Sequence, residues 1–260
     1  MALIPPFFLD CVVAIGLIAS DGNLKQWTAS GFLYGEMVRE GSKVEENEYR
    51  IFLVTNRHVF QGNKSVWVRF NPEADEPARE FELPLEDTTG KLQWFPHKDQ
   101  HIDVAIVPIN TKALEEEKIK FAFFLSDRHV LDRKKAKAEG ISEGDGAYIL
   151  GFPMGLVGGP RNYVIVRQGT IARVRDYLAG SSKELLIDAT IFPGNSGGPV
   201  ITRPELTSIQ GTKSQNAAYL IGVVQSYLPY QDVAISAQTK RPRIIFEENS
   251  SLLQLFHSIM

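Results

Sequence analysis

Short runs of apolar and β-branched residues, bounded by Gly, Pro, Asn or charged clusters, repeat along most of the chain. Runs of this kind are typical of β-strands, and their regular interruption is typical of all-β barrels and sandwiches. In the first half the pattern predicts strands at Val12–Ile18, Gly31–Tyr34, Tyr49–Thr55, Ser65–Phe70, Phe81–Leu85 and Val104–Ile109. In the second half it predicts strands at Ala147–Gly151, Tyr163–Gln168, Gly169–Arg175, Glu184–Ala189, Pro199–Thr202 and Tyr219–Gln225.

Helical patterns are confined to two places. The charged stretch 111–143 contains "ALEEEKIK" and "DRKKAKAEG", which we interpret as short helices or a linker. At the end of the chain, Asn249 precedes "SSLLQLFHSIM", where a capping residue is followed by apolar residues at helical spacing. We therefore predict an amphipathic helix over Asn249–Met260.

Two sets of about six strands, joined by a linker and closed by a helix, predict an all-β fold. We expect two packed, six-stranded antiparallel β-barrels with a C-terminal α-helix. The predicted boundaries are 1–112 for the first barrel, 113–142 for the linker and 143–260 for the second barrel with its helix. The 260 residues, 43% of them hydrophobic, suffice for such a core.

Charge and cysteine content narrow the class of protein. The net charge is −3 and the pI is about 6.0, so we expect neither a nucleic-acid partner nor an anionic membrane. The basic run 128–137 is interrupted by Asp132 and is interpreted as a solvated surface. Cys11 is the only cysteine, so no internal disulfide can form. We interpret it as a buried structural thiol in a reducing compartment.

The apolar N-terminus invites comparison with a signal peptide. It lacks a Lys or Arg before the apolar run and contains Pro5, Pro6 and Asp10, which signal peptides do not favour. The run after Asp10 is too short to span a bilayer as a helix. We therefore interpret this segment as the first strand and predict a cytoplasmic protein.

The stretch "IFPGNSGGPV", Ile191–Val200, is the strongest candidate for chemistry. Nucleophilic serine catalysis needs an exposed hydroxyl, an imidazole, a carboxylate and N–H groups aimed at the developing oxyanion. Glycines around Ser196 permit a sharp turn in which the Gly194 and Ser196 N–H groups converge beside the hydroxyl. The alternative is a Gly-Pro surface loop that happens to contain a serine.

A histidine and a carboxylate occur where such chemistry needs them. His58 follows the apolar strand of "FLVTNRHVF", at a strand end where active-site groups are often presented. Asp103 precedes the apolar run of "HIDVAIVPI", where a buried acid is costly unless it is hydrogen-bonded, for example by an imidazole N–H. Asp99 is the second choice of carboxylate, and a merely structural histidine is the alternative for His58.

The motifs "TNRHVF", "DVAIVPI" and "GNSGGPV", in that order, resemble the trypsin-like, chymotrypsin-fold serine peptidases. The segments "SGFLYG", "EGDGAYILGFPMG" and "LIGVVQS" match as well, and the bacterial cytoplasmic and HtrA-type branch is the most similar. The resemblance implies that His58 is the general base, that Asp103 orients it and that Ser196 is the nucleophile. Gly194 and Ser196 would form the oxyanion hole. It implies hydrolysis of peptides or proteins without a metal or organic cofactor.

The resemblance also implies a substrate pocket and a mode of regulation. Thr190 would lie at the base of the pocket, and Gln225, Ser226 and Tyr227 would line it and pair with the substrate. Because no acid is present among them, we expect small or medium uncharged side chains rather than Lys or Arg before the cut bond. Asn195 replaces the Asp that binds a new N-terminal ammonium in secreted members, so we expect no activation by N-terminal cleavage.

Three alternatives stay open at this stage. The chain could be a catalytically silent binding or regulatory module, or an esterase on the same scaffold. "GNSGG" also fits the nucleophile elbow of α/β-hydrolases, in which Asp232 and His257 would complete the site. The absence of a helical pattern directly after Ser196 disfavours that third alternative.

Overall fold

The computed structural model describes residues 4–18, 25–207 and 209–256, for Glu45 and Tyr227 the backbone alone. Within these ranges the strands are β1 Val12–Ile18, β2 Lys25–Arg39, β3 Glu48–Thr55, β4 Ser65–Pro72, β5 Arg79–Pro84, β6 Phe95–Pro96, β7 Ala105–Pro108, β8 Ile119–Lys120, β9 Phe124–Leu125, β10 Gly146–Gly151, β11 Ile165–Arg173, β12 Glu184–Asp188, β13 Pro199–Thr202, β14 Leu220–Ile235 and β15 Pro242–Phe256. The α-helices are α1 Pro6–Asp10, α2 Arg57–Phe60, α3 Thr111–Glu116, α4 Arg133–Glu139 and α5 Arg175–Ala179, and 3₁₀ turns cover Val44–Glu46 and Pro153–Gly155. No helix in the described ranges is both long and apolar enough to cross a membrane.

The first sheet contains nine strands within the described ranges, where the sequence predicts six. Its order is β5-β4-β1-β2-β3-β7-β6, with β8 paired to β4 and β9 paired in parallel to β2. The three additional strands, β6, β8 and β9, have two residues each, which is too short to produce a hydrophobic pattern. β8 and β9 come from the segment 113–142, so this part of the chain pairs with the first sheet.

The second sheet is a closed antiparallel barrel of six strands, in the order β10-β11-β12-β15-β14-β13. Six is the predicted number, but the set of strands differs. The predicted strands Tyr163–Gln168 and Gly169–Arg175 form the single strand β11. A Cβ on Gly169 would lie 2.8 Å from side-chain atoms of Ile187 and Ala189, so this glycine permits a close approach of β12 and does not end the strand.

The predicted C-terminal helix is wrong, because residues 249–256 belong to β15. This part of β15 lies between β12 and β14 and closes the barrel. Leu253 and Leu255 are fully buried while Leu252 and Gln254 are half-buried, which is the two-residue period of a strand. The backbone partners on both sides outweigh a helical spacing of apolar residues. The remainder of the predicted helix, 257–260, lies outside the described residues.

A shared apolar core joins the two sheets. One buried cluster fills each sheet, and a third contains residues of both, among them Phe32 of β2, Phe152 after β10 and Phe256 of β15. Helix α1 adds Phe8, whose ring centroid lies 4.6 Å from that of Phe124. The third cluster therefore fixes the two sheets relative to each other.

Cys11 belongs to this shared core. It is fully buried, its thiol donates to the Phe7 carbonyl at 3.3 Å, and burial together with the negative charge of Asp10 raises the thiol pKa well above its ordinary value. The sequence-based interpretation as a buried thiol is confirmed.

We expect the thiol of the native protein to be inert toward Ellman's reagent at neutral pH, because it is inaccessible and protonated. Unfolding in denaturant should release one reactive thiol per chain. An Ile209→Cys variant adds a thiol at an exposed position and serves as the positive control. Rapid, complete reaction of the native wild-type chain would contradict this arrangement.

Candidate active site

The segment between β12 and β13 forms a tight turn around Gly194. The Asn195 N–H donates to the Phe192 carbonyl at 3.1 Å, and Gly194, the third residue of the turn, has φ +100°. A turn with Pro second and a positive φ at the third residue is type II, and it favours glycine there. A Cβ on Gly194 would also lie 2.4 Å from the Phe152 carbonyl oxygen, so no other residue fits.

Two contacts hold this turn, one from the segment after β10 and one from β2. The Pro193 carbonyl accepts a hydrogen bond from the Met154 N–H at 2.6 Å, and Met154 adopts φ +55° to offer it. The fully buried Ser30 hydroxyl donates to the Gly194 carbonyl at 2.7 Å and accepts from the Phe152 N–H at 2.9 Å. Because the Pro193 carbonyl is turned toward Met154, the N–H of the same peptide, that of Gly194, points to the opposite side of the turn.

The N–H groups of Gly194 and Ser196 accordingly stay unused. Within the described part of the chain neither has a hydrogen-bond acceptor, although Gly194 is buried and Ser196 half-buried. Buried backbone donors are nearly always paired in native proteins, so these two N–H groups are available to an acceptor that the chain itself does not supply.

His58 and Asp103 meet at the edge of the first sheet. β3 ends at Thr55, and helix α2 carries His58 one turn beyond it. The His58 Nδ1 lies 2.6 Å from Oδ2 of Asp103, and the His58 backbone N–H donates to the other carboxylate oxygen at 3.1 Å. The Asp103 backbone carbonyl accepts from the Asn56 amide at 2.7 Å. Both carboxylate oxygens are therefore occupied and the imidazole is held by its Nδ1 side.

The turn that carries Ser196 and the helix that carries His58 both contact Thr55 or its neighbours. A Cβ on Gly197 would lie 2.1 Å from the Thr55 hydroxyl, and the Ser196 carbonyl accepts from the Ser30 N–H at 2.9 Å. Ser196 is thus pressed against the strand end from which α2 starts. No hydrogen bond joins the Ser196 hydroxyl to His58 in the described structure. The solvent-facing ring of His58, with a side chain 54% exposed, leaves Nε2 free to accept one.

The other candidates from the sequence lie elsewhere. Asp99 forms an ion pair with Lys183, and the bond from that ammonium holds the pKa of Asp99 below its usual range. Asp103, and not Asp99, therefore faces His58. Asp232 lies exposed on β14, and His257 is outside the described residues, so an α/β-hydrolase arrangement finds no support.

The predicted pocket residues lie on two sides of β15. Thr190 follows β12 and is exposed, while Gln225 and Ser226 lie on β14, and β15 runs between β12 and β14. The two sides are separated by two strand spacings, about 9–10 Å. The amide oxygen of Gln225 is buried and accepts no hydrogen bond from the described residues. The side chain of Tyr227 lies outside the described atoms.

Sequence reasoning missed the part of β15 between these residues. The Ala189 N–H donates to the Ser251 carbonyl at 2.8 Å, and the Asn249 amide donates to the Ile191 carbonyl at 2.6 Å. Asn249 and Ser251 therefore hold the segment that carries Thr190 against β15. The misassigned helix concealed them, because it made Asn249 a capping residue.

Asn195 points inward from the turn and is 1% exposed. Neither its amide nitrogen nor its amide oxygen has a hydrogen-bond partner within the described structure. Elsewhere in the described ranges, no group of three or more His, Cys, Asp or Glu side chains is arranged to hold a metal ion.

Comparison with known proteins identifies the family of the chain. A family model described as the trypsin-like peptidase domain matches residues 29–205. A search of curated proteins found no match. Among solved structures, the chain is similar to the apo form of the MamO protease domain from Magnetospirillum magneticum, at 15% identity, with 94% of each chain covered and a TM-score of 0.45. The family match spans most of the chain and includes His58, Asp103 and Ser196, so the chain belongs to the trypsin-like peptidase domain family.

Proposed function

We propose that the protein is a serine endopeptidase that hydrolyses peptide bonds through His58, Asp103 and Ser196. The observation that carries the proposal is that the site combines a His58–Asp103 contact with two unused N–H groups on the turn of Ser196. One end of this arrangement can accept a proton, and the other can bind an oxyanion. A cytoplasmic location stays a prediction from the sequence, made on the N-terminal segment and the single cysteine.

In the proposed reaction, the Ser196 hydroxyl oxygen attacks the substrate carbonyl carbon while His58 Nε2 takes the hydroxyl proton. Asp103 holds the proton on Nδ1 and stabilises the imidazolium that forms. The Gly194 and Ser196 N–H groups bind the developing oxyanion, and His58 returns the proton to the leaving amine. Water then attacks the acyl carbon of the acyl-enzyme while His58 Nε2 takes a proton from the water. His58 returns that proton to the Ser196 oxygen as the bond between Ser196 and the acyl group breaks, which releases the acid product and restores Ser196.

Regulation by N-terminal cleavage is not part of the proposal. In secreted relatives a carboxylate at the position of Asn195 accepts the new ammonium, whereas a neutral amide gains little from it. The type II turn at Gly194 is held instead by Met154 and Ser30. We therefore propose that the uncleaved chain is competent.

Probe labelling tests this proposal against a silent binding module. We expect a fluorophosphonate probe to label the intact wild-type chain and to leave Ser196→Ala unlabelled. Asp103→Asn should slow labelling by about 10³- to 10⁴-fold, because the imidazole loses the correct tautomer. Thermal unfolding of each variant controls for misfolding. A folded wild type that resists the probe at every pH would identify the chain as a non-catalytic module.

The Ser30 hydroxyl should support turnover without touching substrate. We expect Ser30→Ala to lower kcat about tenfold or more with little change in KM, since the oxyanion turn loses a buried anchor. It should also cost about 1–3 kcal/mol of stability, because the Gly194 carbonyl and Phe152 N–H lose their partner. Thr202→Val, which removes a buried hydroxyl that accepts from the Tyr219 N–H, is the matched control for stability alone. Equal kcat losses in the two variants would refute the assignment.

Pocket chemistry predicts the residue before the cut bond. Since Thr190, Gln225 and Ser226 carry no charge, we expect a peptide library to be cleaved after small or medium uncharged residues. Matched ester substrates measure the esterase alternative in the same experiment. Cleavage mainly after Lys or Arg would contradict the predicted pocket, and turnover of esters with no amide turnover would favour an esterase.

A further inference from the structure

The strands β14 and β15 continue beyond the second barrel as a two-stranded ribbon. Their pairing extends to Ile235 opposite Pro242, and we call residues 228–249 the arm. From Gln225 onward, one edge of β14 is paired with β15, and within the described residues no strand pairs with its other edge. An unpaired strand edge is a template to which an extended chain can add as a further strand.

The unpaired edge of β14 begins at the candidate active site. The Val224 N–H donates to the Gly198 carbonyl, and the Val224 carbonyl accepts from the Gly197 N–H, both at 2.9 Å. The turn that carries Ser196 therefore lies on this same edge, directly before its unpaired part. A peptide whose cut bond lies at Ser196 can add to β14 along that part.

The backbone directions identify which groups of the arm are available on this edge. The Leu228 carbonyl accepts from the Ser250 hydroxyl of β15, so it faces β15. Because the N–H and carbonyl groups of successive strand residues face alternate edges, those of Tyr227, Pro229 and Gln231 face the unpaired edge. Pro229 has no N–H to leave unpaired there, and proline within sheets is confined to such edges.

Asp232 marks the outer limit of the open edge. The Val233 N–H is next in the alternation, but it donates to the Asp232 carboxylate at 2.7 Å. A charged side chain on a strand edge discourages further pairing. The open part of the edge therefore covers residues 225–231, a length of about 20 Å.

We infer that this open edge of β14 binds about seven residues of the substrate before the cut bond as an added antiparallel strand. In the predicted pocket the residue before the cut bond lies beside Gln225 and Ser226, so the chain that precedes it continues outward along β14. The substrate then runs toward Ser196 while β14 runs away from it, which makes the pairing antiparallel. The inference rests on the proposed function and names its substrate class, an extended polypeptide segment that reaches from Ser196 onto the arm.

The arm also selects side chains of the substrate. Leu228 and Tyr230 lie on the same face of β14, and they are 37% and 56% exposed. With the residue before the cut bond opposite Gln225, the fourth residue before the bond lies opposite Leu228 and the sixth opposite Tyr230. Apolar and aromatic residues that face each other stabilise antiparallel strands. We therefore expect apolar residues at the fourth and sixth positions, and wide tolerance at the fifth and seventh.

Peptide binding to the Ser196→Ala chain tests the inference without catalysis. By fluorescence anisotropy, we expect a peptide with seven residues before the cut bond to bind about ten- to hundredfold more tightly than the same peptide truncated to three. N-methylation at the seventh residue should cost about tenfold in affinity, because it removes the N–H that the Gln231 carbonyl accepts. N-methylation at the sixth residue, whose N–H faces away from β14, is the matched control.

Turnover by the wild-type chain tests the contact with Tyr230. We compare kcat/KM for the substrate with seven residues before the cut bond and for the one with three, and we expect their ratio to fall about two- to fivefold in Tyr230→Ala. Ile245→Ala is the matched control, because Ile245 is exposed on β15 and lies on the opposite face of the arm, as the partner of Val233. It should leave the ratio unchanged. Thermal unfolding of both variants controls for misfolding.

The outcomes distinguish this inference from the proposed function. A chain that binds the long peptide more tightly but resists the fluorophosphonate probe would support the edge and refute the peptidase. A peptidase that is indifferent to substrate length would overturn the edge alone, as would equal losses from N-methylation at the sixth and seventh residues. Association with anionic vesicles or with a second copy that Tyr230→Ala abolishes, without any effect of peptide length, would assign the arm to that other partner and overturn the inference.

Discussion

The position of Ser30 is the constraint on which the candidate site depends. This one buried residue of β2 donates its N–H to the Ser196 carbonyl, its hydroxyl to the Gly194 carbonyl, and accepts from the Phe152 N–H and the Thr55 hydroxyl. Three segments, namely the turn at Gly194, the chain after β10 and the end of β3, therefore meet at a single serine. Because buried polar groups are costly unless paired, none of these segments can shift alone without leaving a partner unsatisfied.

The hydrogen bonds of Ser30 explain how the two halves of the candidate site, which come from different sheets, are held in a fixed position relative to each other. His58 and Asp103 come from the first sheet, and Ser196 with the free N–H groups comes from a turn of the second. The apolar cluster around Phe32 and Phe152 fixes the sheets relative to each other. Apolar contacts are not directional, however, so they do not set the direction in which the N–H and carbonyl groups of the turn point. The hydroxyl of Ser30 supplies that direction, since it links the carbonyl of Gly194 to the N–H of Phe152.

The sequence predicts much of this and fails for identifiable reasons. Strand β1 is predicted to the residue, and the Asp103 carboxylate was expected beside an imidazole because an acid next to a buried strand needs a partner. The roles of Ser30 and Met154 could not be predicted from the sequence. Ser30 acts on a turn more than a hundred residues away along the chain, and the role of Met154 depends on a positive φ that Met rarely adopts. Asn249 was misread because the spacing of Leu252, Leu253 and Phe256 suits a helix, while the choice of strand is made by neighbours far away in sequence.

Asn195 shows how the identity of one residue follows from its surroundings. The side chain is sealed beneath the turn, with Gly151 so close that a Cβ there would lie 3.4 Å from the Asn195 amide oxygen. An amide without partners costs about 1–3 kcal/mol in such a place, whereas an unpaired carboxylate costs far more. An acid at this position would therefore need a cation beside it. Since Met154 and Ser30 already fix the type II turn, a neutral residue suffices, and the turn can keep its N–H groups free without a buried charge pair.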